Sequence, residues 1–182
     1  MLPIIKKTFN SSLRGFTLIE LLLVVAIISI LISIGLASFT TAQKRSRNAQ
    51  RKADLAKVAQ ALETFYGDFN QYPVSSTSPN GRIEINATTC TGIGTVLQFG
   101  AAPPASSLKC GTAPNDKNYL NQLPGNPAPG GQYYYRSCNP ADPSGPKQVY
   151  ELYAQLEGES NTMPKICAIS TPAGYNYGIS SR

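Results

Sequence analysis

Residues 16–39 read FTLIELLLVVAIISILISIGLASF and hold a single ionisable side chain, Glu20. At 1.5 Å per residue, a helix of that length is roughly 36 Å long, more than the ~30 Å hydrocarbon core of a bilayer. The run Leu21–Phe39 has no charge at all. The segment is therefore expected to cross a membrane as one α-helix. A permanent anchor would account for the length but not for an acid so near its start. A secretory signal has a shorter apolar region of about 7–15 residues, although Gly35-Leu36-Ala37 offers a small-x-small triplet that would release a chain beginning at Ser38.

Basic residues flank this segment. Residues 1–57 hold nine Lys and Arg (Lys6, Lys7, Arg14, Lys44, Arg45, Arg47, Arg51, Lys52, Lys57) against Glu20 and Asp54, whereas residues 58–182 hold seven basic and eight acidic residues. The formal charge of +6 thus surrounds the apolar run, and the remainder is nearly neutral. A nucleic-acid-binding domain carries a basic patch of its own, so direct nucleic-acid binding is not expected. Near the span there are three Lys/Arg before it and six after it, which by the positive-inside rule would place the C-terminal side in the cytoplasm. Cysteine usage points the other way. Cys90, Cys110, Cys138 and Cys167 show no C-x-x-C spacing and suggest two disulfides in an oxidising compartment. Four cysteines allow three pairings, and local loop closure favours Cys90–Cys110 with Cys138–Cys167. The chain has no histidine, which excludes triads of the Ser-His-Asp type and removes the commonest metal ligand. Neither a metal nor a cofactor is expected.

Arg14-Gly15-Phe16-Thr17-Leu18-Ile19-Glu20, preceded by Lys6 and Lys7, resembles the processing site of type IV prepilins and the related pseudopilins. The resemblance lies in the combination of a basic leader, glycine before an aromatic, an acid at Glu20 and a long apolar helix. It implies that residues 1–15 are a cytoplasmic leader, that a membrane-embedded prepilin peptidase cuts between Gly15 and Phe16, and that Phe16 is then N-methylated. Glu20 would carry the assembly step. A carboxylate at membrane depth costs about 2.5–3.5 kcal/mol and usually has a partner. The amine freed on Phe16, in the same subunit or a neighbour, would compensate both charges and fix axial register. The bland alternative leaves Glu20 idle near the headgroups.

No turn signal interrupts residues 40–71, and Leu55, Val58, Leu62, Phe65 and Phe69 recur at helical spacing until Pro73. One helix of about 55 residues is expected, with its apolar stripe packed under a sheet. Residues 73–131 read as irregular, Gln132–Arg136 as a strand and Gln148–Glu157 as a half-buried antiparallel strand, with a further strand over Ile166–Ser170. The segments NYLNQLP (Asn118–Pro124) and YELYAQLE (Tyr150–Glu157) are similar to pieces of pilins and major pseudopilins. The implied fold is α+β: a long N-terminal helix, its first half transmembrane, packed on a small antiparallel sheet with disulfide-closed loops. The expected divisions are a leader (1–15), a transmembrane and assembly half-helix (16–39), an amphipathic half-helix (40–72) and a head (73–182).

The expected function is that of a structural subunit, not an enzyme. As a homo-oligomer it would form a type IV pilus-like filament, or a secretion pseudopilus. Its partners would be the prepilin peptidase/methyltransferase, the inner-membrane assembly machinery and the bacterial cytoplasmic membrane, with the head outside the cytoplasm and on the cell surface after assembly. Adhesion, motility, DNA uptake and protein secretion are the outputs of such filaments. The competing class is an anchored binding protein. Its candidate surface is a tyrosine-rich face (Tyr133–Tyr135, Tyr150, Tyr153, Tyr175, Tyr177), which is more often packing. Asp116, Asp142, Glu157 and Glu159 read as scattered loop and surface charges. The basic cluster Lys44–Lys57 suits anionic headgroups, inter-subunit pairs or a solvated face.

Overall fold

The computed structural model describes residues 15–75, 81–85, 89–90, 95–100, 107–111, 116–129, 131–159, 163–167 and 172–181. The basic leader lies outside them. The chain divides into two units, Met1–Ala42 and Gln43–Arg182. Helix α1 (Leu18–Phe69, 52 residues) belongs to both and contains no proline. It stops where Asn70 takes φ 52°, a left-handed conformation that asparagine tolerates, while the Asn70 N–H still reaches the Tyr66 carbonyl at 2.7 Å. The expected breaker, Pro73, stands three residues beyond this cap.

The second unit is built on the apolar stripe of α1. Leu55, Val58, Leu62 and Phe65 are fully buried, and Phe69 packs at the edge. Against them lie strands β1 (Val74–Ser75), β2 (Ile83–Ile85), β3 (Thr95–Leu97), β4 (Leu108–Cys110), β5 (Lys117–Leu120), β6 (Tyr134–Cys138), β7 (Val149–Ala154) and β8 (Tyr177–Ser180). They form three antiparallel groups ordered β1-β2-β3, β4-β5 and β6-β7-β8. All contribute to one core, in which Ile83, Leu97, Leu108, Leu123, Tyr133, Tyr135, Tyr150 and Leu152 close over the helix. Gly81 precedes β2 at φ 45° and passes so close to β6 that a Cβ there would meet the Tyr134 ring at 2.5 Å. Its carbonyl accepts the Tyr135 N–H at 2.6 Å.

Several sequence expectations are corrected here. Residues 73–131 are not uniformly irregular: five strands lie there, each two to four residues long. Strand β7 is not half-buried, because Glu151 and Tyr153 on its second face are as buried as Tyr150 and Leu152 on its first. Residues 163–167 cover that second face. Pro164 accepts the Tyr153 hydroxyl at 2.9 Å, and the Ile166 and Cys167 N–H groups both donate to Glu151 Oε1. Backbone donors spent on a side chain cannot form a ladder, so no strand runs through Ile166 and Cys167; residues 168–170 lie outside the described residues. The closing strand is β8, which pairs with β7 instead. Disulfides join Cys90 to Cys110 and Cys138 to Cys167, with Cα separations of 5.2 and 5.3 Å.

The head is also fastened to α1 by charge. Arg51 is fully buried, and each of its five N–H donors has an acceptor. Nε donates to Asn126 Oδ1 at 2.7 Å, and Nη1 donates to Asn48 Oδ1 and Glu157 Oε1, each at 3.0 Å. Nη2 donates to the carbonyls of Pro127 (2.9 Å) and Pro129. One turn earlier, Arg47 grips Glu157 with two bonds of 2.7 and 2.6 Å, the bidentate geometry that suits guanidinium and carboxylate. Asn48 and Lys52 hold Glu159 at 2.9 and 2.8 Å. Most of the basic cluster is therefore internally paired rather than a solvated face. Glu157 and Glu159 are not scattered surface charges but the anchors of the segment that follows β7. Asp116, by contrast, forms a surface pair with Lys109, and Asp142 caps its own turn by accepting the Ser144 N–H at 2.9 Å.

Breaking this lock has two expected consequences. Replacing Arg51 with Met removes a fully buried guanidinium from its five acceptors, leaves Glu157 with Arg47 alone, and should cost roughly 3–5 kcal/mol in the unfolding free energy of the head. Denaturant melts of the two proteins measure it, and a loss below about 1 kcal/mol would show the network to be dispensable. The second consequence concerns acid. The hydrogen-bonded Arg47 guanidinium, with Arg51 behind it, holds the Glu157 carboxyl down at about 2. Because the folded value is the depressed one, its stabilising contribution is present above the ordinary value of 4.5 and is lost as pH falls toward 2. Glu157→Gln should flatten the fall in melting temperature across that window. An unchanged pH profile would mean that Glu157 is not a contributor.

Candidate processing and assembly site

In the first unit, the chain enters α1 through Gly15, Phe16 and Thr17. Thr17 and Glu20 form a reciprocal capping box. The Glu20 N–H donates to Thr17 Oγ1 at 3.3 Å, and Glu20 Oε2 accepts from the Thr17 N–H at 2.9 Å and the Thr17 hydroxyl at 2.8 Å. The T-x-x-E spacing is the sequence signal for Thr17, a partner of Glu20 additional to the expected Phe16 amine. The nitrogen of Phe16 is here the amide that joins it to Gly15 and carries no charge. Glu20 is satisfied by its neighbour three residues back.

Beyond Glu20 the helix is apolar on every side. All the large hydrophobic side chains from Phe16 to Phe39 are exposed, from 44% at Val24 to 88% at Leu18. Burying each is worth about 1.5–3 kcal/mol, so the segment as a whole withholds tens of kcal/mol. Its serines do not break the apolar surface: Ser29 and Ser33 donate back to the carbonyls of Val25 and Ser29 at 2.7 and 2.8 Å. Among the described residues, α1 contains the one stretch long and apolar enough to cross a membrane.

The tyrosine-rich face is largely taken up in packing, with the rings of Tyr134, Tyr153 and Tyr175 in mutual contact at centroid distances of 5.6 to 6.4 Å. Tyr133, Tyr135, Tyr150 and Tyr153 are buried, and Tyr134, Tyr175 and Tyr177 are only partly exposed. Their hydroxyls serve packing: Tyr133 donates to Asp54 at 3.0 Å, Tyr135 to the Pro73 carbonyl at 2.6 Å and Tyr175 to the Gln132 carbonyl at 2.9 Å. Burial pushes the Tyr133, Tyr135, Tyr150 and Tyr153 phenols well above the usual range, so they remain neutral donors. Among the described residues, no group of three or more Cys, Asp or Glu side chains is arranged to hold a metal ion.

Comparison with known proteins agrees with the N-terminal geometry. The family described as the prokaryotic N-terminal methylation motif matches residues 11–36, which include Gly15, Phe16, Thr17 and Glu20. The chain is similar to the type IV major pilin protein PilA of Myxococcus xanthus (strain DK1622), at 42% identity over 64 residues. That alignment takes in 35% of this chain and 29% of the relative's own length. No solved structure gives a significant match. With its methylation motif, a 42% identical stretch shared with a major pilin and an α+β fold of one long, apolar-headed helix on small antiparallel sheets, the chain is similar to type IV pilins over its N-terminal part and spans less than a third of the relative it matches.

Proposed function

We propose that the chain is the precursor of a filament subunit of the type IV pilus kind. A prepilin peptidase cuts after Gly15, Phe16 is N-methylated, and inner-membrane machinery moves the subunit from the bilayer into a helical homopolymer. Residues 1–15 serve as leader, 16–39 as membrane and assembly segment, 40–72 as the helical spine of the head, and 73–182 as the rest of the head. The observation that carries this reading is the exposed apolar run that begins at the methylation motif and contains one acid. Such a surface requires lipid before assembly and neighbouring copies after it.

A head outside the cytoplasm is supported by its two disulfides. The opposing charge count also weakens in the folded chain. Of the six basic residues that follow the span, Arg47, Arg51, Lys52 and Lys57 are compensated by Glu157, Glu159 and Asp54 of the same head. A pilus is favoured over a secretion pseudopilus because the similar protein is a major pilin.

Cleavage frees a cation at Phe16 beside an acid already held at the helix start. The amine then competes with Thr17 for Glu20, and a neighbour's amine can do the same. Intact mass and N-terminal peptides from the cell-surface protein should show a chain that begins at methylated Phe16. A start at Ser38 or at Met1 would refute the processing. Glu20→Ala should still be cleaved but should lower the yield of sheared filaments roughly tenfold or more, since a lost partner exposes the amine in an apolar core. Wild-type yield from that variant would remove the register role from Glu20.

A further inference from the structure

The ion pairs of α1 leave a short remainder in the second unit. Its six cations are Lys44, Arg45, Arg47, Arg51, Lys52 and Lys57, and its acids are Asp54, Glu63 and Asp68. Arg47, Arg51, Lys52, Lys57, Asp54 and Asp68 all have partners of opposite charge. Among the described residues, Lys44 and Arg45 have no acid within ion-pair distance and Glu63 has no cation. All three are exposed.

Glu63 stands at the rim of a groove of 520 Å³ lined by Tyr66, Tyr72, Gln148, Ser180 and Ser181. The two tyrosine rings lie 4.6 Å apart. Tyr72 donates its hydroxyl to Glu63 Oε2 at 3.0 Å, and the Tyr66 hydroxyl is held by Gln148 Oε1 at 2.7 Å. A carboxylate among fixed tyrosine faces suits an ammonium or guanidinium group, which gains both an ion pair and ring contacts. Within one chain that cation cannot be Arg45. Five helical turns separate it from Glu63, about 27 Å along the axis and beyond the reach of any side chain.

We infer that in the polymer this groove receives the cationic pair Lys44 and Arg45 of a second copy, shifted along its helix axis by about 27 Å. The inference rests on the filament reading above and deepens it by naming a contact between heads. Charge complementarity selects the occupant, since Lys44 and Arg45 are the cations of α1 that the head itself leaves uncompensated. They stand about 100° apart around the helix, so one or the other faces a neighbour over a wide range of subunit rotation. The contact would repeat at every subunit and set the Glu63 carboxylate of each copy against a cation of the next.

The test uses the full-length protein in the cells that make it. In an Arg45→Cys, Glu63→Cys double variant, a short bismaleimide should cross-link sheared filaments into dimers and a ladder of higher species. Either single variant should give monomers. Both native disulfides are closed, so the added thiols are the reactive ones, and intrachain linkage is ruled out by distance. Glu63→Lys should cut filament yield roughly tenfold or more at unchanged subunit level, as should Lys44→Glu with Arg45→Glu, and combining them should restore yield. Processed wild-type filaments with no ladder and no effect of Glu63→Lys would overturn the pairing and leave the filament reading intact. An effect of the Lys44/Arg45 reversal alone would assign those cations to lipid headgroups and overturn the pairing too. An equal loss from Arg182→Ala would assign the groove to the chain's own C-terminal residue. If the wild-type chain is never found in a filament, both readings fail together.

Discussion

The apolar surface between Phe16 and Phe39 is the constraint on which the rest of the protein depends. Water is excluded as its solvent by tens of kcal/mol, and only lipid or other copies of the same segment remain. These two environments are nearly equivalent in hydrophobic terms, because lipid tails are as apolar as leucine side chains. In the proposed transfer from bilayer to polymer, smaller terms decide: packing between helices and the few polar groups that change partners. Glu20 is the one ionisable group in the span, which is why a single carboxylate can weigh so heavily. Its capping box with Thr17 makes it tolerable at the helix end, where backbone donors need an acceptor in any case.

A head carried by such a segment has to be stable through its own bonds. Its strands are short, from two to six residues, and sheets this small contribute little by themselves. The compensation comes from three sources. One is the buried stripe of α1, and another is the pair of disulfides, which tie Cys90 to β4 and β6 to the segment 163–167. The third is the Arg51 network. Its contribution lies less in net energy than in uniqueness: a guanidinium with five directed donors accepts one arrangement of Asn126, Pro127, Pro129 and Glu157 and rejects others. It holds the segment after β7 and the turn before β6 to the same point on the helix.

How much of this was legible in the sequence follows from the range of each signal. Helix α1 was readable because its evidence is local and repetitive: an unbroken apolar run, then Leu55, Val58, Leu62 and Phe65 at helical spacing. Strand β7 was readable for the same reason, but its burial was not. The cover over Glu151 and Tyr153 comes from residues 163–167, which carry no apolar period and are tied down by the Glu151 side chain. Strands β1 to β5 were hidden because two to four residues cannot show a period of two. The pairing of Arg47, Arg51 and Lys52 with Glu157 and Glu159 was hidden because it joins positions more than a hundred residues apart. At the candidate site, Gly15, Phe16 and Glu20 were legible as a motif, whereas the part played by Thr17 emerged from hydrogen-bond geometry.

The same long-range pairing alters what the basic cluster means. Read along the chain, Lys44–Lys57 is a block of positive charge suited to any anionic surface. In the folded head, Arg47, Arg51, Lys52 and Lys57 face acids of their own unit, and the exposed remainder is Lys44 and Arg45, directly after the apolar span. Charge that is already compensated contributes little to long-range attraction for lipid or nucleic acid, since the field of a close pair falls away faster than that of a lone ion. The positive character of the sequence is thus spent largely inside the protein, on joining the C-terminal segment to α1. What remains outside is two cations at one level of the helix and one acid five turns above them; within one copy that acid and those cations cannot meet, whereas between identical copies shifted along the axis they can.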